Sequence, residues 1–105
     1  MPWILSTLKF QEKYNLTQMC EERGRPILIG RERDCDIIVP EKYIHVSKQQ
    51  VRIGLTEEGL PALTDLDSTN GTWVNDIKVR QETPLHTGDS IWLSNEYLIR
   101  IGRRD

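Results

Sequence analysis

Three short segments carry side chains whose donors can bind an anionic group. Gly30-Arg31 supplies a guanidinium, Ser47-Lys48 a hydroxyl and an ammonium, and Thr69-Asn70 a second hydroxyl and an amide. A guanidinium presents a planar fork of N–H donors that suits bidentate contact with a phosphate or a carboxylate. Whether these donors act together depends on the fold that positions them.

Each segment also has an ordinary structural interpretation. A lone arginine such as Arg31 is most often a solvated surface charge, and a second Gly-Arg pair, Gly24-Arg25, has the features of a turn. Ser47 can bond to its own backbone in a local turn. Asn70-Gly71 is a leading hairpin-turn signal. Residue type alone therefore does not assign a site.

The chain around these segments reads as short strands separated by turns. Its apolar runs are rich in Ile, Val, Leu and Trp, and residues that favour turns lie between them. The runs are 3–8, 27–29, 37–39, 51–55, 60–66, 72–74, 91–93 and 97–101. Short strands at this spacing predict an all-β sandwich or barrel.

Three of the intervening turns predict hairpins because their residues accept positive φ or favour turns. They lie at residues 57–59, 75–76 and 94–96. Segment 11–25 is the least defined. Tyr14, Leu16 and Met19 could lie on a strand, but an irregular loop fits equally well, and no amphipathic helix is predicted there.

Taken together, the polar segments resemble the signature of the forkhead-associated (FHA) family. Gly30-Arg31 follows a strand, Ser47 begins a segment like the family's Ser-x-x-His, and Asn70-Gly71-Thr72 follows in order. The later stretch 85–93 is similar to the family's closing strands. The resemblance covers residues 26–101, and we assign residues 1–105 to a single domain.

The resemblance implies a two-sheet antiparallel β-sandwich, SMAD/FHA-like, with the binding loops at one end. It also implies a phosphothreonine-dependent peptide-binding module that docks a phosphorylated partner protein in signalling or assembly. By the same resemblance, Arg31 and Ser47 meet the phosphate and Lys48 adds a further donor. Thr69 lies near the phosphothreonine, and Asn70 bonds the peptide backbone.

Further positions are assigned through the resemblance. Arg33 and His45 are candidates for reading the peptide beyond the phosphate, where they would favour an acidic residue. Gly30 and Gly71 shape the loops. Gln50 stands where the family usually has a structural His that ties the loops together. Because an amide carries both a donor and an acceptor, Gln50 can supply part of that role.

Composition restricts the other function classes. The formal net charge is −2, from 14 basic and 16 acidic residues, so we expect no nucleic-acid partner. No run is long enough to span a membrane, and the apolar start is too short for a signal peptide. We therefore expect an intracellular protein, cytoplasmic or nuclear, with Cys20 and Cys35 reduced. No metal-ligand spacing, cofactor motif or nucleophile–base pair indicates a metal, a cofactor or an enzyme.

A second interpretation stays open. The domain could be a degenerate FHA fold that binds a partner without phosphate or associates with itself. Gln50 is one reason for it, and Trp73 and Trp92 are the other. If Thr72, Val74, Ile91 and Leu93 face the core, alternation turns both indoles outward. Two outward indoles could form an apolar patch for weak self-association, or each could be half covered by its neighbours.

Overall fold

The structure, a computed structural model, describes residues 1–103, which form eleven strands and one helix. The strands are β1 (Trp3–Thr7), β2 (Glu12–Asn15), β3 (Ile27–Gly30), β4 (Ile37–Ile38), β5 (Val51–Leu55), β6 (Pro61–Asp65), β7 (Thr72–Val74), β8 (Ile77–Lys78), β9 (Thr83–Pro84), β10 (Ser90–Leu93) and β11 (Tyr97–Arg103). The helix is α1 (Leu16–Arg23).

The strands form two sheets, which confirms the predicted β-sandwich. The six-stranded sheet has the order β2-β1-β11-β10-β7-β8, and the five-stranded sheet has the order β4-β3-β5-β6-β9. All pairs in the described chain are antiparallel except β3 with the two-residue β4, which is parallel. Each of the eight apolar or alternating runs of the sequence supplies one strand, because successive side chains point to opposite faces and the apolar set can face the other sheet.

The core lies between the inward faces of the two sheets. In β10, Ile91 and Leu93 are fully buried while Trp92 between them is exposed. In both sheets buried residues on neighbouring strands are paired, since Ile91 is opposite Ile99 and Ile53 is opposite Leu63. Burial of such aliphatic side chains contributes about 1.5–3 kcal/mol each, and this holds the scaffold under the loops rigid.

The three predicted hairpins are confirmed. Gly59, with φ 79°, turns β5 into β6, and Asn75, with φ 56°, turns β7 into β8. Ser94, with φ 54°, begins the turn between β10 and β11. These positive φ values explain why glycine, asparagine and a short polar residue stand at these places.

In segment 11–25 the strand interpretation holds for Tyr14, which lies on β2, whereas Leu16 and Met19 lie on α1 and on neither a strand nor an irregular loop. Leu16 is the helix residue that is fully buried, so the sequence carries no amphipathic stripe that would have indicated a helix. The signal lies instead in the caps. Asn15 accepts a hydrogen bond from the Gln18 N–H at 2.9 Å, and Gly24 ends the helix with φ 67°.

Charged contacts tie this helix to the loop after β3. Asp36 binds Arg23 and Arg25 at 2.8 Å each and accepts the Leu28 N–H at 2.7 Å. The hydrogen bonds from Arg25, against the opposing effect of burial, lower the pKa of Asp36 to about 2. The described helix, at eight residues, is too short to cross a membrane.

Candidate functional site

Three loops meet at one end of the sandwich. They follow β3, precede β5 and follow β6, and they carry all of the polar segments that the sequence singles out. Backbone bonds join the first two loops, since the Arg31 N–H donates to the Ser47 carbonyl at 3.3 Å and the Gln50 N–H donates to the Ile29 carbonyl at 2.9 Å. The scaffold therefore fixes the spacing between the loops.

Gly30 is required by the close approach of these two loops. A Cβ built at this position would lie 2.1 Å from the Lys48 carbonyl oxygen, well inside contact distance. The residue is fully enclosed, and its own carbonyl accepts the Val39 N–H at 2.7 Å. The absence of a side chain at Gly30 is thus what allows Arg31 to lie beside the loop that carries Ser47.

Arg31 lies along that loop and is half-buried. Its Nε donates to the Val46 carbonyl, which orients the guanidinium beside Ser47. A guanidinium has five N–H donors. Within residues 1–103 the two terminal nitrogens of Arg31 have no hydrogen-bond partner, so their donors remain for a ligand.

Ser47 and Asn70 connect the loop before β5 with the loop after β6. The Ser47 hydroxyl accepts the Thr69 N–H at 3.0 Å, and its own proton remains available to donate. The Asn70 Nδ2 donates to the His45 carbonyl at 2.9 Å. Thr69 and Asn70 are both exposed to solvent. The hydroxyl, the amide and the guanidinium therefore lie on adjoining segments at the same end of the fold.

Gln50 is completely buried and hydrogen-bonded at both ends of its amide. Its Oε1 accepts the Ser47 N–H at 2.7 Å, and its Nε2 donates to the Gly71 carbonyl at 2.8 Å and to the Thr72 hydroxyl at 2.9 Å. One side chain therefore holds both loops in register. A buried amide satisfied in this way specifies a single arrangement.

A network that the sequence did not single out supports the loop after β6. Asp65 accepts the hydroxyls of Ser68 and Thr72 at 2.6 Å each, and the Gly71 N–H donates to the Ser68 hydroxyl at 3.1 Å. Gly71 has φ 90°, which no other residue type adopts easily. Acidic and hydroxyl residues three apart are a known local-turn pattern, and this is the sequence signal for the network.

A surface depression of about 340 Å³ lies beside Arg31 and is lined by three cations, Arg31, Arg33 and Lys48. Three acids, which are Glu32, Asp34 and Glu41, share its rim. Arg33 and Lys48 are exposed, so they can reorient toward a ligand. The structure thus places Arg33 beside the phosphate candidates.

His45 lies apart from this depression and is paired with an acid that the sequence did not indicate. The Glu96 carboxylate accepts the His45 N–H at 2.8 Å and lies 3.2 Å from His45 Nδ1. Partial desolvation acts to raise the pKa of Glu96, but the hydrogen bonds from His45 and the nearby charge of Arg31 outweigh it, and the pKa is lowered. Fifty-one residues separate the two, so no local pattern could indicate the contact.

The arrangement can hold a compact anion with several acceptor oxygens. Cationic N–H groups come from Arg31, a hydroxyl from Ser47 and exposed groups from Lys48, Thr69 and Asn70. Each charge-assisted hydrogen bond contributes roughly 1.5–3 kcal/mol. A dianionic phosphate fits this set better than a carboxylate, because it offers one more acceptor oxygen and nearly twice the charge.

Known proteins are similar to this chain in sequence and in fold. The human E3 ubiquitin-protein ligase CHFR is 40% identical over 73 residues, which are 68% of this chain and 11% of the ligase. Its Xenopus laevis counterpart is 37% identical over 67 residues, which are 62% of this chain and 11% of that protein. The chain therefore spans a small part of the length of these relatives.

Solved structures extend the similarity over the whole chain. An FHA domain studied for phosphothreonine-dependent interactions has a TM-score of 0.80 and 29% identity, and covers 100% of this chain and 99% of that one. The N-terminal FHA domain of RAD53P from S. cerevisiae, in complex with a phosphothreonine peptide, has a TM-score of 0.75 and 25% identity over 100% of this chain and 95% of that one. The FHA domain family itself matches residues 27–94. The chain belongs to the FHA domain family.

Proposed function

We propose that this domain binds a phosphothreonine-containing segment of a partner protein and thereby docks that partner. The observation that carries the proposal is the convergence of the Arg31 guanidinium, the Ser47 hydroxyl and the Asn70 amide on three loops that Gln50 holds together. The yeast FHA domain solved with a phosphothreonine peptide, described above, gives independent support.

In this proposal the terminal nitrogens of Arg31 and the Ser47 proton contact the phosphate oxygens. Lys48 adds a cation from the same loop, and Arg33 reads the peptide beside the phosphate. Because Glu96 binds His45, we propose that His45 stabilises the conformation of its loop as well as contacting the peptide. Three charge-assisted bonds together supply about 5–9 kcal/mol before ordering costs, which corresponds to roughly micromolar binding.

The domain acts here by docking alone, so any catalysis belongs to whatever the domain is joined to or recruits. We place the protein inside the cell, in the cytoplasm or the nucleus, where kinases supply phosphothreonine; both cysteines are free thiols, which fits that location. Incubation with a phosphothreonine peptide should release no inorganic phosphate. Phosphate release above that of a boiled sample would contradict the docking role.

Calorimetric titration with a degenerate phosphothreonine peptide library tests the proposal. We expect micromolar binding that is absent with the unphosphorylated library and is lost in Arg31→Ala. Arg52→Ala is the matched control, since Arg52 is an exposed arginine on β5 and lies outside the loops. Equal affinity for the phosphorylated and unphosphorylated libraries, or full binding by Arg31→Ala, would show that the phosphate site is wrong.

A further inference from the structure

The outward face of the six-stranded sheet carries two tryptophans side by side. Trp73 on β7 and Trp92 on β10 are register partners, and Trp92 is 36% exposed. With Asn75, Asp76 and Asn95 they line a hollow of about 380 Å³. Burial of an aromatic surface is favourable, and an exposed paired aromatic surface is a common sign of an interaction site.

The indoles are held in place. Lys78 lies opposite Trp73 on β8, and its Nζ is 5.7 Å from the centre of the Trp73 ring. A Cβ built on Gly71 would lie 3.1 Å from the same ring, so the loop after β6 packs against it. A rigid apolar surface loses little conformational entropy on binding.

The rest of this face is basic. A second hollow, of about 270 Å³, is lined by Lys13, Arg100 and Arg103 together with Ser6. The two hollows are neighbours on this face, because Arg100 in the second hollow is opposite Ser90, and Ser90 lies two residues before Trp92 on β10. Within residues 1–103, the strand positions of this sheet that face outward include Lys13, Lys78 and Arg100 and no acid.

We propose that this face is a second binding surface, independent of phosphate, for an extended acidic segment of a partner protein. A large apolar residue of that segment enters the hollow between Trp73 and Trp92. Its acidic residues contact Arg100 and Lys13. Charge complementarity is the argument for this occupant, since the face is basic although the whole chain carries a net charge of −2.

The same charges disfavour the two other possible occupants. A second copy of the chain would bring together two faces whose strand positions in the described chain carry only positive charges, which is repulsive. A single strand of nucleic acid follows a continuous groove of cations, whereas Lys13, Arg100 and Lys78 stand on three separated strands, β2, β11 and β8.

Sheet geometry fixes the spacing of the segment. Neighbouring strands lie about 4.8 Å apart and alternate residues about 6.8 Å apart, which puts Arg100 about 8 Å and Lys13 about 16 Å from Trp92. An extended peptide advances about 3.3 Å per residue. The acidic residues should therefore stand about two to five positions from the apolar residue.

Nuclear magnetic resonance titration with three unphosphorylated peptide pools tests this. The first pool has Leu, Phe or Pro at the centre and Asp or Glu about two to five positions away. The second carries Lys or Arg at those positions, and the third has Ala at the centre. We expect the first pool to shift the indole N–H signals of Trp73 and Trp92 with a dissociation constant of roughly 0.1–1 mM, as small surface sites give. The backbone amide signal of Ile53 is the internal reference, because Ile53 is fully buried and lies on the other sheet.

Variants separate this surface from the phosphate site. Lys13→Glu and Arg100→Glu should each weaken the shifts at least threefold. Trp92→Thr removes its own indole signal and should weaken the shift at Trp73. Arg52→Glu, a charge reversal on the other sheet, and Arg31→Ala should leave them unchanged. Because Arg31 lies outside this face, the shifts in Arg31→Ala test the second surface whether or not the domain binds phosphothreonine.

Several results would overturn the proposal. These are no indole shift with the first pool, equal shifts with the basic pool, or shifts that Arg100→Glu retains in full. Indole signals that move with protein concentration alone would assign the face to self-association. A shift with oligothymidylate that exceeds the shift with the acidic pool would assign it to nucleic acid.

Discussion

Replacement of Gln50 by alanine tests the structural reasoning about the recognition loops most directly. The substitution removes a buried amide that makes three hydrogen bonds. Two of the three partners keep another bond, since the Gly71 carbonyl still accepts the Ser94 N–H at 2.9 Å and the Thr72 hydroxyl still donates to Asp65. The Ser47 N–H alone loses its partner.

The expected magnitude follows from that count. An orphaned donor costs roughly 1–3 kcal/mol, and the void left in a packed site adds about 1 kcal/mol. We therefore expect Gln50→Ala to lower the free energy of unfolding by about 2–4 kcal/mol. For a domain of this size the melting temperature should fall by roughly 10–20 °C.

Gln50→His provides the informative comparison. One imidazole nitrogen can accept the Ser47 N–H while the other donates to the Gly71 carbonyl, so we expect a change in stability of less than about 1 kcal/mol. Gln49→Ala is the matched control, because Gln49 is the exposed neighbour and, among residues 1–103, its side chain bonds only to Glu32.

Differential scanning calorimetry measures stability, and titration with a phosphothreonine peptide below the melting temperature measures binding. Gln50→Ala should bind at least about tenfold more weakly than the natural chain, since each 1.4 kcal/mol of loop ordering is a factor of ten. A melting temperature for Gln50→Ala within about 3 °C of that of Gln49→Ala would refute the view that this amide holds the loops.

Three further changes have definite expected outcomes. Gly30→Ala should destabilise the domain by more than about 2 kcal/mol in urea denaturation, because its Cβ would overlap a backbone carbonyl, whereas Gly102→Ala, with open space around it, should be close to neutral. Asp36 has a pKa of about 2 in the folded chain against an ordinary 3.8, so the stability that it contributes is present above about pH 4 and is lost as the pH falls toward 2. Asp36→Asn should therefore lower the free energy of unfolding by about 1–2 kcal/mol at pH 7, and this difference should vanish in acid. Glu96→Gln keeps an acceptor while it removes a negative charge near Arg31, so phosphopeptide affinity should rise about two- to fivefold at low salt and the gain should fade at high salt.

The sequence predicts the sheets well because most of the strands obey a local rule. Runs such as 51–55 and 97–101 are apolar or alternate, and turn residues such as Gly59 and Asn75 separate them. The two-residue β9 (Thr83–Pro84) has no such pattern and exists because β6 offers it an edge to pair with. Short strands formed by pairing alone leave no local signature.

The helix and the His45–Glu96 contact were missed for different physical reasons. Eight residues with one buried side chain, Leu16, give no periodicity, so only the caps Asn15 and Gly24 carry information. The contact between His45 and Glu96 depends on which loops the two sheets bring to the same end, and that is a property of the whole fold. The candidate residues of the proposed phosphate site lie on adjoining loops as the family resemblance predicts, and the signature includes Gly30, which permits the two loops to approach.

The turn at residues 94–96 belongs to both proposed surfaces. Ser94 and Asn95 line the hollow between the tryptophans, whereas Glu96 holds the backbone of His45 at the phosphate loops. The Ser94 N–H also donates to the Gly71 carbonyl, the same oxygen that Gln50 binds from the other side. The two proposed surfaces therefore share one turn and one carbonyl, and if an occupant of the hollow changes the affinity for a phosphopeptide, linkage requires the phosphopeptide to change the affinity of the hollow by the same factor. A partner with a phosphothreonine and an acidic, apolar stretch within reach would engage both at once, and the second contact would be strengthened by the first through effective concentration.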